Sequence, residues 1–269
     1  MAQETKSLGQ KDILDRFFTK KEVAKKCIDF IPNLDTYDCI IEPSAGEGSF
    51  SSHIANWFAY DIFPANENIK QQDWFSLDKK CFNKYKNILV IGNPPFGQQN
   101  TLAIRFFNES AKFANTIAFI LPLSFKKDSI QNQLNLNFTL IKEMILDKNS
   151  FILNQKDYSV PCVFQVWQKQ ENKRSKKKLK TTTSLFDFTT KDNADFRIQR
   201  VGGNAGKASF DLDRSSQSNY FIKNKSSLSN EDFINLINNS CFPTIEFTVG
   251  PKSLSKGELI AILEEQICE

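Results

Sequence analysis

Apolar residues first recur at helical spacing just after Thr19. Val23, Ala24, Cys27, Ile28 and Ile31 share one face, Thr19 and Glu22 have the spacing of a capping box, and Pro32 stops the run. The pattern predicts a helix that opens the domain. The texture then changes to short, continuously apolar runs. Cys39-Ile40-Ile41 ends in the turn from Glu42 to Gly48, Trp57-Phe58-Ala59-Tyr60 ends at Asp61, Ile88 to Ile91 runs into Gly92-Asn93-Pro94-Pro95-Phe96, and Ile117 to Leu121 is closed by Pro122. Further strands are expected at Leu140–Leu146 and Cys162–Trp167, and helices at Phe50–Trp57 and Thr101–Ala114. Short apolar strands alternating with helices predict an α/β domain whose mostly parallel sheet is covered on both faces. Ligands of such sheets bind outside the carboxyl ends of the strands. The turns at 42–48, 61–64 and 92–97 all fall there.

After about residue 168 the pattern breaks. Residues 169–182 form a basic linker around Lys173-Arg174-Ser175-Lys176-Lys177-Lys178-Leu179-Lys180. Residues 183–269 read as a small α+β domain, with closely spaced Phe, Ile and Val, a glycine-rich break at 202–206, and helices starting near Ser229 and Ser255. The division expected is therefore 1–168, 169–182 and 183–269. The chain's net charge of +4 is concentrated in the linker, because the residues before it are nearly neutral and those after it are net acidic. Such a run either tracks a phosphate backbone through Lys176, Lys177 and Lys178 or serves as a solvated tether. Arg197 and Arg200 are further candidate nucleic-acid contacts.

With 40% hydrophobic residues and 25 phenylalanines among 269, the chain has ample material for a core, which excludes a disordered polypeptide. Six cysteines without a C-x-x-C pair, and a single histidine, argue against structural zinc and a His-based triad; no metal is expected, and the cysteines read as buried reduced thiols. No apolar run approaches the ~20 residues of a membrane span, and the first residues lack a secretory pattern. The expectation is a cytoplasmic protein without a membrane partner, or a nuclear one if the host is a eukaryote or its virus.

Two constellations carry chemistry. In Glu42-Pro43-Ser44-Ala45-Gly46-Glu47-Gly48-Ser49-Phe50 the glycines let backbone approach a ligand. The dinucleotide fingerprint is excluded, because position 51 is serine. Glu42 would repel a pyrophosphate but suits a cationic amino-acid group, which favours S-adenosylmethionine. Asp61 can hold ribose hydroxyls, and Asp73 an adenine amino group. The second constellation, Asn93-Pro94-Pro95-Phe96, is the more specific. Two prolines cannot continue a ladder, so they make a stiff turn that presents Asn93. The Asn93 amide oxygen and the Pro94 carbonyl can accept from the N–H groups of a conjugated amine and turn its lone pair toward a methyl donor, while Phe96 offers a face for the substrate ring.

These residues resemble the class I S-adenosylmethionine-dependent methyltransferases that act on amino nitrogens, most closely the adenine-N6 DNA methyltransferases. The resemblance covers about residues 15–168 and implies a Rossmann-like domain with S-adenosylmethionine as cofactor. It makes Asn93, Pro94, Pro95 and Phe96 the catalytic motif. Phe18, Thr19, Glu42, Pro43, Ala45, Gly46, Gly48, Asp61, Ile62, Asp73 and Trp74 become cofactor contacts. It implies nucleic acid as partner, DNA before RNA. Other readings are an RNA methyltransferase for adenine N6 or guanine N2, a catalytically silent subunit that binds nucleic acid or a protein partner, and a protein-glutamine methyltransferase.

Overall fold

The computed structural model describes residues 17–54, 57–248 and 250–268. The strands are β1 (Phe18–Thr19), β2 (Cys39–Glu42), β3 (Trp57–Asp61), β4 (Lys70–Gln71), β5 (Ile88–Gly92), β6 (Thr116–Pro122), β7 (Phe138–Ile145), β8 (Phe151–Leu153), β9 (Lys156–Tyr158), β10 (Cys162–Lys169), β11 (Phe186–Thr189), β12 (Phe196–Gln199), β13 (Ala208–Ser209) and β14 (Asn219–Asn224). The helices are α1 (Lys21–Phe30), α2 (Thr101–Ser110), the single turn α3 (Asp128–Gln131), α4 (Asn230–Asn239) and α5 (Lys256–Cys268). None of them is long and apolar enough to cross a membrane. The chain divides into two compact units. One runs through Phe125 and includes Ile130–Lys176; the other comprises Lys126–Ser129 and the residues from Lys177 onward.

The first unit is built on a seven-stranded sheet of order β4-β3-β2-β5-β6-β10-β7. Strands β4, β3, β2, β5 and β6 pair in parallel. Strand β10 is antiparallel to both β6 and β7 and alone runs against the rest. A mostly parallel sheet with one reversed strand in this order is Rossmann-like. Strands β2, β5 and β6 are buried along their whole length, as expected of strands covered on both faces. From β2 the chain moves outward to β3 and β4, then returns across β2 to β5. The topological switch point lies between the carboxyl ends of β2 and β5, where an open α/β sheet forms its crevice. The two motifs singled out in the sequence follow those two strands.

Several local expectations fail for identifiable reasons. Thr19 does not cap α1. Its backbone pairs with Phe151 in a small sheet of order β1-β8-β9, and Lys20 is the N-cap, without a side-chain hydrogen bond. The helix expected at Phe50–Trp57 is reduced to a 3-10 turn at Ser51–His53. Serine hydroxyls there bond to the backbone instead, Ser49 to the Thr19 carbonyl and Ser52 to the Ser49 carbonyl, which competes with helix formation. Helix α2 stops at Ser110, short of Ala114. Of the described thiols Cys27, Cys39 and Cys162 are buried, whereas Cys81 and Cys241 are exposed.

In the second unit a four-stranded antiparallel sheet of order β11-β14-β12-β13 shares a core with α4 and α5. Both helices start where serines mark them. Ser229 accepts from the Asp232 N–H at 3.1 Å, and Ser255 from that of Glu258 at 3.2 Å.

Candidate functional site

Glu42 ends β2 with 2% of its surface exposed. Its side chain fits because Gly92, at the end of the neighbouring β5, has no Cβ: one placed there would lie 3.3 Å from the Glu42 Cγ. One carboxylate oxygen, Oε2, has no hydrogen-bond partner among the described residues. Burial raises the pKa of Glu42 well above the ordinary carboxylate value. The backbone N–H of Ser51 opposes that rise and the charge of Asp61 adds to it.

The loop after Glu42 is fixed from two sides. The Gly46 N–H donates to Asp61 Oδ2 at 2.8 Å, and the Phe63 N–H donates to Asp61 Oδ1 at 2.8 Å, so the acid at the end of β3 clamps the loop. Gly46 has φ +55°, and a Cβ on it would lie 3.0 Å from the Phe18 ring. Glycine is thus demanded by both conformation and space. On the other side the Ser49 hydroxyl donates to the Thr19 carbonyl at 2.5 Å. The Thr19 hydroxyl is itself buried and unpartnered among the described residues. Phe18 and Thr19 therefore stand against the loop. Pro43, Ala45 and Gly48 are buried within it.

Asn93 follows β5. Its backbone carbonyl accepts from the Ser44 hydroxyl at 3.2 Å, a bond that ties the two motifs together. Its side-chain Oδ1 is buried and has no partner among the described residues. Leaving a buried amide oxygen unpaired costs about 1–3 kcal/mol, so such an atom calls for an explanation. Pro94 is buried and Pro95 half-buried. The Phe96 carbonyl accepts from the N–H groups of Leu102 and Ala103 at 3.1 and 3.2 Å, which seats the first turn of α2 directly on the motif.

Phe96 departs from the expectation. Phe96 is no open stacking face. It is 6% exposed and meets Phe17 edge-on with centroids 5.4 Å apart. Phe17 in turn packs on Phe151 and Tyr158 of the β8–β9 hairpin. Trp74 is a core residue at 2% exposure, packed on Tyr60 and Phe113, although its Nε1 has no partner among the described residues. Asp73 is exposed and accepts from the Phe75 N–H at 3.0 Å, which closes a turn. Ile62 is 53% exposed, beside Phe63 at 47%. The sequence reading missed Phe63 and Ser44. Phe63 showed only as an apolar residue next to a strand-end acid, and Ser44 stood in the Glu42–Phe50 turn without a role of its own.

Arg197 is structural. It is 9% exposed and donates to the Asp211 carbonyl at 2.7 Å and to Asn219 Oδ1 at 2.9 Å. Arg200 lies over the Tyr220 ring, and its Nε is buried without a partner. The basic run is partly spent within the fold. Arg174 stacks on Trp167 and donates to the Phe138 and Leu134 carbonyls, Lys177 pairs with Asp128 at 2.6 Å, and Lys180 pairs with Glu264. Lys176 and Lys178 are exposed.

Two buried acceptors, Glu42 Oε2 and Asn93 Oδ1, thus belong to adjacent strand ends at the switch point. They suit ligands that bring N–H donors, a cationic ammonium and an amine. No family model matches the sequence. The chain is similar to Protein ENHANCED DOWNY MILDEW 2 of Arabidopsis thaliana, 25% identical over 183 residues. That match covers 62% of this chain and only 14% of the relative. Among solved structures it is similar to PH1948 from Pyrococcus horikoshii, described as a candidate RNA methyltransferase, at 14% identity, with 62% of this chain and 92% of that one covered and a TM-score of 0.41. The 23S rRNA methyltransferase ErmE gives 14% identity, 62% and 70% coverage, and a TM-score of 0.37.

Proposed function

We propose that the chain is an S-adenosylmethionine-dependent methyltransferase acting on an exocyclic amino nitrogen of a nucleic-acid base, adenine N6 foremost. The observation that carries this reading is the unpartnered, buried Oδ1 of Asn93 at the mouth of the switch-point crevice. Glu42 fits the cofactor's ammonium, and Asp61, at the end of the next strand, keeps lone pairs for ribose hydroxyls. Bound there, S-adenosylmethionine supplies an electrophilic methyl on a positively charged sulfur. Asn93 Oδ1 and the Pro94 carbonyl accept from the two N–H groups of the target amine. That draws its lone pair out of conjugation and aims it, so catalysis is mainly positioning. The stiff proline pair keeps both acceptors from relaxing. A duplex base would have to leave the stack to reach them.

The test is to incubate the protein with methyl-labelled cofactor and DNA, RNA and protein pools. Label is expected in nucleic acid, as a nucleoside methylated on an exocyclic amine. Label confined to protein, or to a ring nitrogen or carbon, would refute the reading. The same experiment decides between DNA, the preference implied by the sequence resemblance, and RNA, the substrate class in the names of the two structural neighbours.

The linker's part in nucleic-acid binding yields a separate expectation. Neutralising Lys176 and Lys178 together should flatten the dependence of log affinity on log salt by roughly 0.7 per lost phosphate contact on a single strand. An unchanged slope would make the segment a tether only.

A further inference from the structure

The segment between the Asn-Pro-Pro-Phe turn and α2 has an unusual conformation that the reaction does not require. Gly97 has φ +69°, and Gln99 and Asn100 follow with φ 51° and 66°. Two consecutive non-glycine residues in the left-handed region are uncommon, and glutamine is poorly suited to it. The strain is held in place from several sides. The Asn100 side chain donates to the Ser124 hydroxyl at 2.8 Å, and the Thr101 hydroxyl to the Gln98 carbonyl at 2.8 Å. A Cβ on Gly97 would lie 2.7 Å from that of Leu102, so this position requires glycine. This scaffolding leaves Gln98 and Gln99 exposed to solvent. Neither carboxamide has a hydrogen-bond partner among the described residues.

We infer that Gln98 and Gln99 are specificity-determining residues that read the base edges of the nucleotide next to the methylated one. The inference rests on the nucleic-acid methyltransferase reading. A carboxamide pairs a donor with an acceptor and matches a base edge in two-point fashion. Gln99 is six residues from Asn93, and the loop that carries it closes back on the motif, since the Leu102 and Ala103 N–H groups donate to the Phe96 carbonyl. The two amides therefore stay within a nucleotide's reach of the target. A loop that only connected β5 to α2 would have no need to hold a glutamine in a disfavoured conformation.

The test uses the full-length chain, labelled S-adenosylmethionine and an oligonucleotide pool randomised on both sides of the target base. Wild type is compared with Gln98→Ala and Gln99→Gly; the glycine keeps the left-handed backbone and deletes only the amide. Expected is a flank preference of about tenfold in wild type that Gln99→Gly flattens, with KM for the preferred flank rising and cofactor affinity unchanged. Wild-type turnover with the same flank preference in both variants would overturn the inference while leaving the reaction intact. Wild-type failure to methylate any oligonucleotide, with cofactor still bound, would overturn the methyltransferase reading and this inference with it.

Discussion

Replacing Asn93 with alanine is expected to lower kcat by roughly 10²–10³-fold or more, the scale found when one preorganised hydrogen-bonding group is removed from a reacting centre. The structure explains why this should be a change in chemistry and not in folding. The bond that joins the two motifs runs from the Ser44 hydroxyl to the Asn93 backbone carbonyl, and alanine keeps that carbonyl. The deleted amide oxygen has no partner among the described residues, so no bond to it within them is lost. Melting temperature should therefore hold, and cofactor affinity measured by calorimetry should be essentially unchanged. Single-turnover methyl transfer should collapse. Turnover retained in Asn93→Ala would remove the assigned role, and a large fall in melting temperature would make the residue structural.

How much of this site was readable in advance depended on how locally each feature is determined. Strands β2, β5 and β6 showed in the sequence because burial on both faces leaves only apolar residues. The placement of Glu42 and Asn93 at strand ends followed directly. Features set by distant partners did not show. Nothing near Thr19 reveals that it pairs with Phe151, more than a hundred residues on. The β8–β9 hairpin turns on Asn154 and Gln155, both at positive φ, without the glycine that usually marks such a turn. Strand β10 was visible as an apolar run, but its insertion between β6 and β7 was not. The burial of Phe96 and Trp74 likewise depends on Phe17, Tyr60 and Phe113 converging from elsewhere in the chain. In the second unit the basic character of Arg197 suggested a surface contact, whereas its partners Asp211 and Asn219 draw it inward.

The second large effect is expected at Glu42. An ordinary glutamate titrates near ~4.3. Burial holds this one well above that, so the cofactor-free protein keeps the proton to higher pH. An ammonium placed against the free Oε2 favours the carboxylate, and binding must then release a proton. Cofactor affinity should therefore rise with pH up to the pKa of Glu42 in the free protein and level off above it. Stability moves the other way. The unfolded chain loses the proton near the ordinary value while the folded chain retains it, so this group's contribution is full below the unfolded pKa and falls as pH rises through the folded one. Glu42→Gln should abolish both dependences. Without cofactor the variant should be more stable than wild type near neutrality. Its cofactor affinity should nonetheless fall by roughly 30-fold or more, since removing one partner of a buried charge pair costs about 2–5 kcal/mol. Calorimetry in buffers of different ionisation enthalpy reads the released proton directly. Wild-type affinity flat across the acid-to-neutral range, or Glu42→Gln binding the cofactor as tightly as wild type, would show that the ammonium sits elsewhere and that this buried acid serves the fold alone.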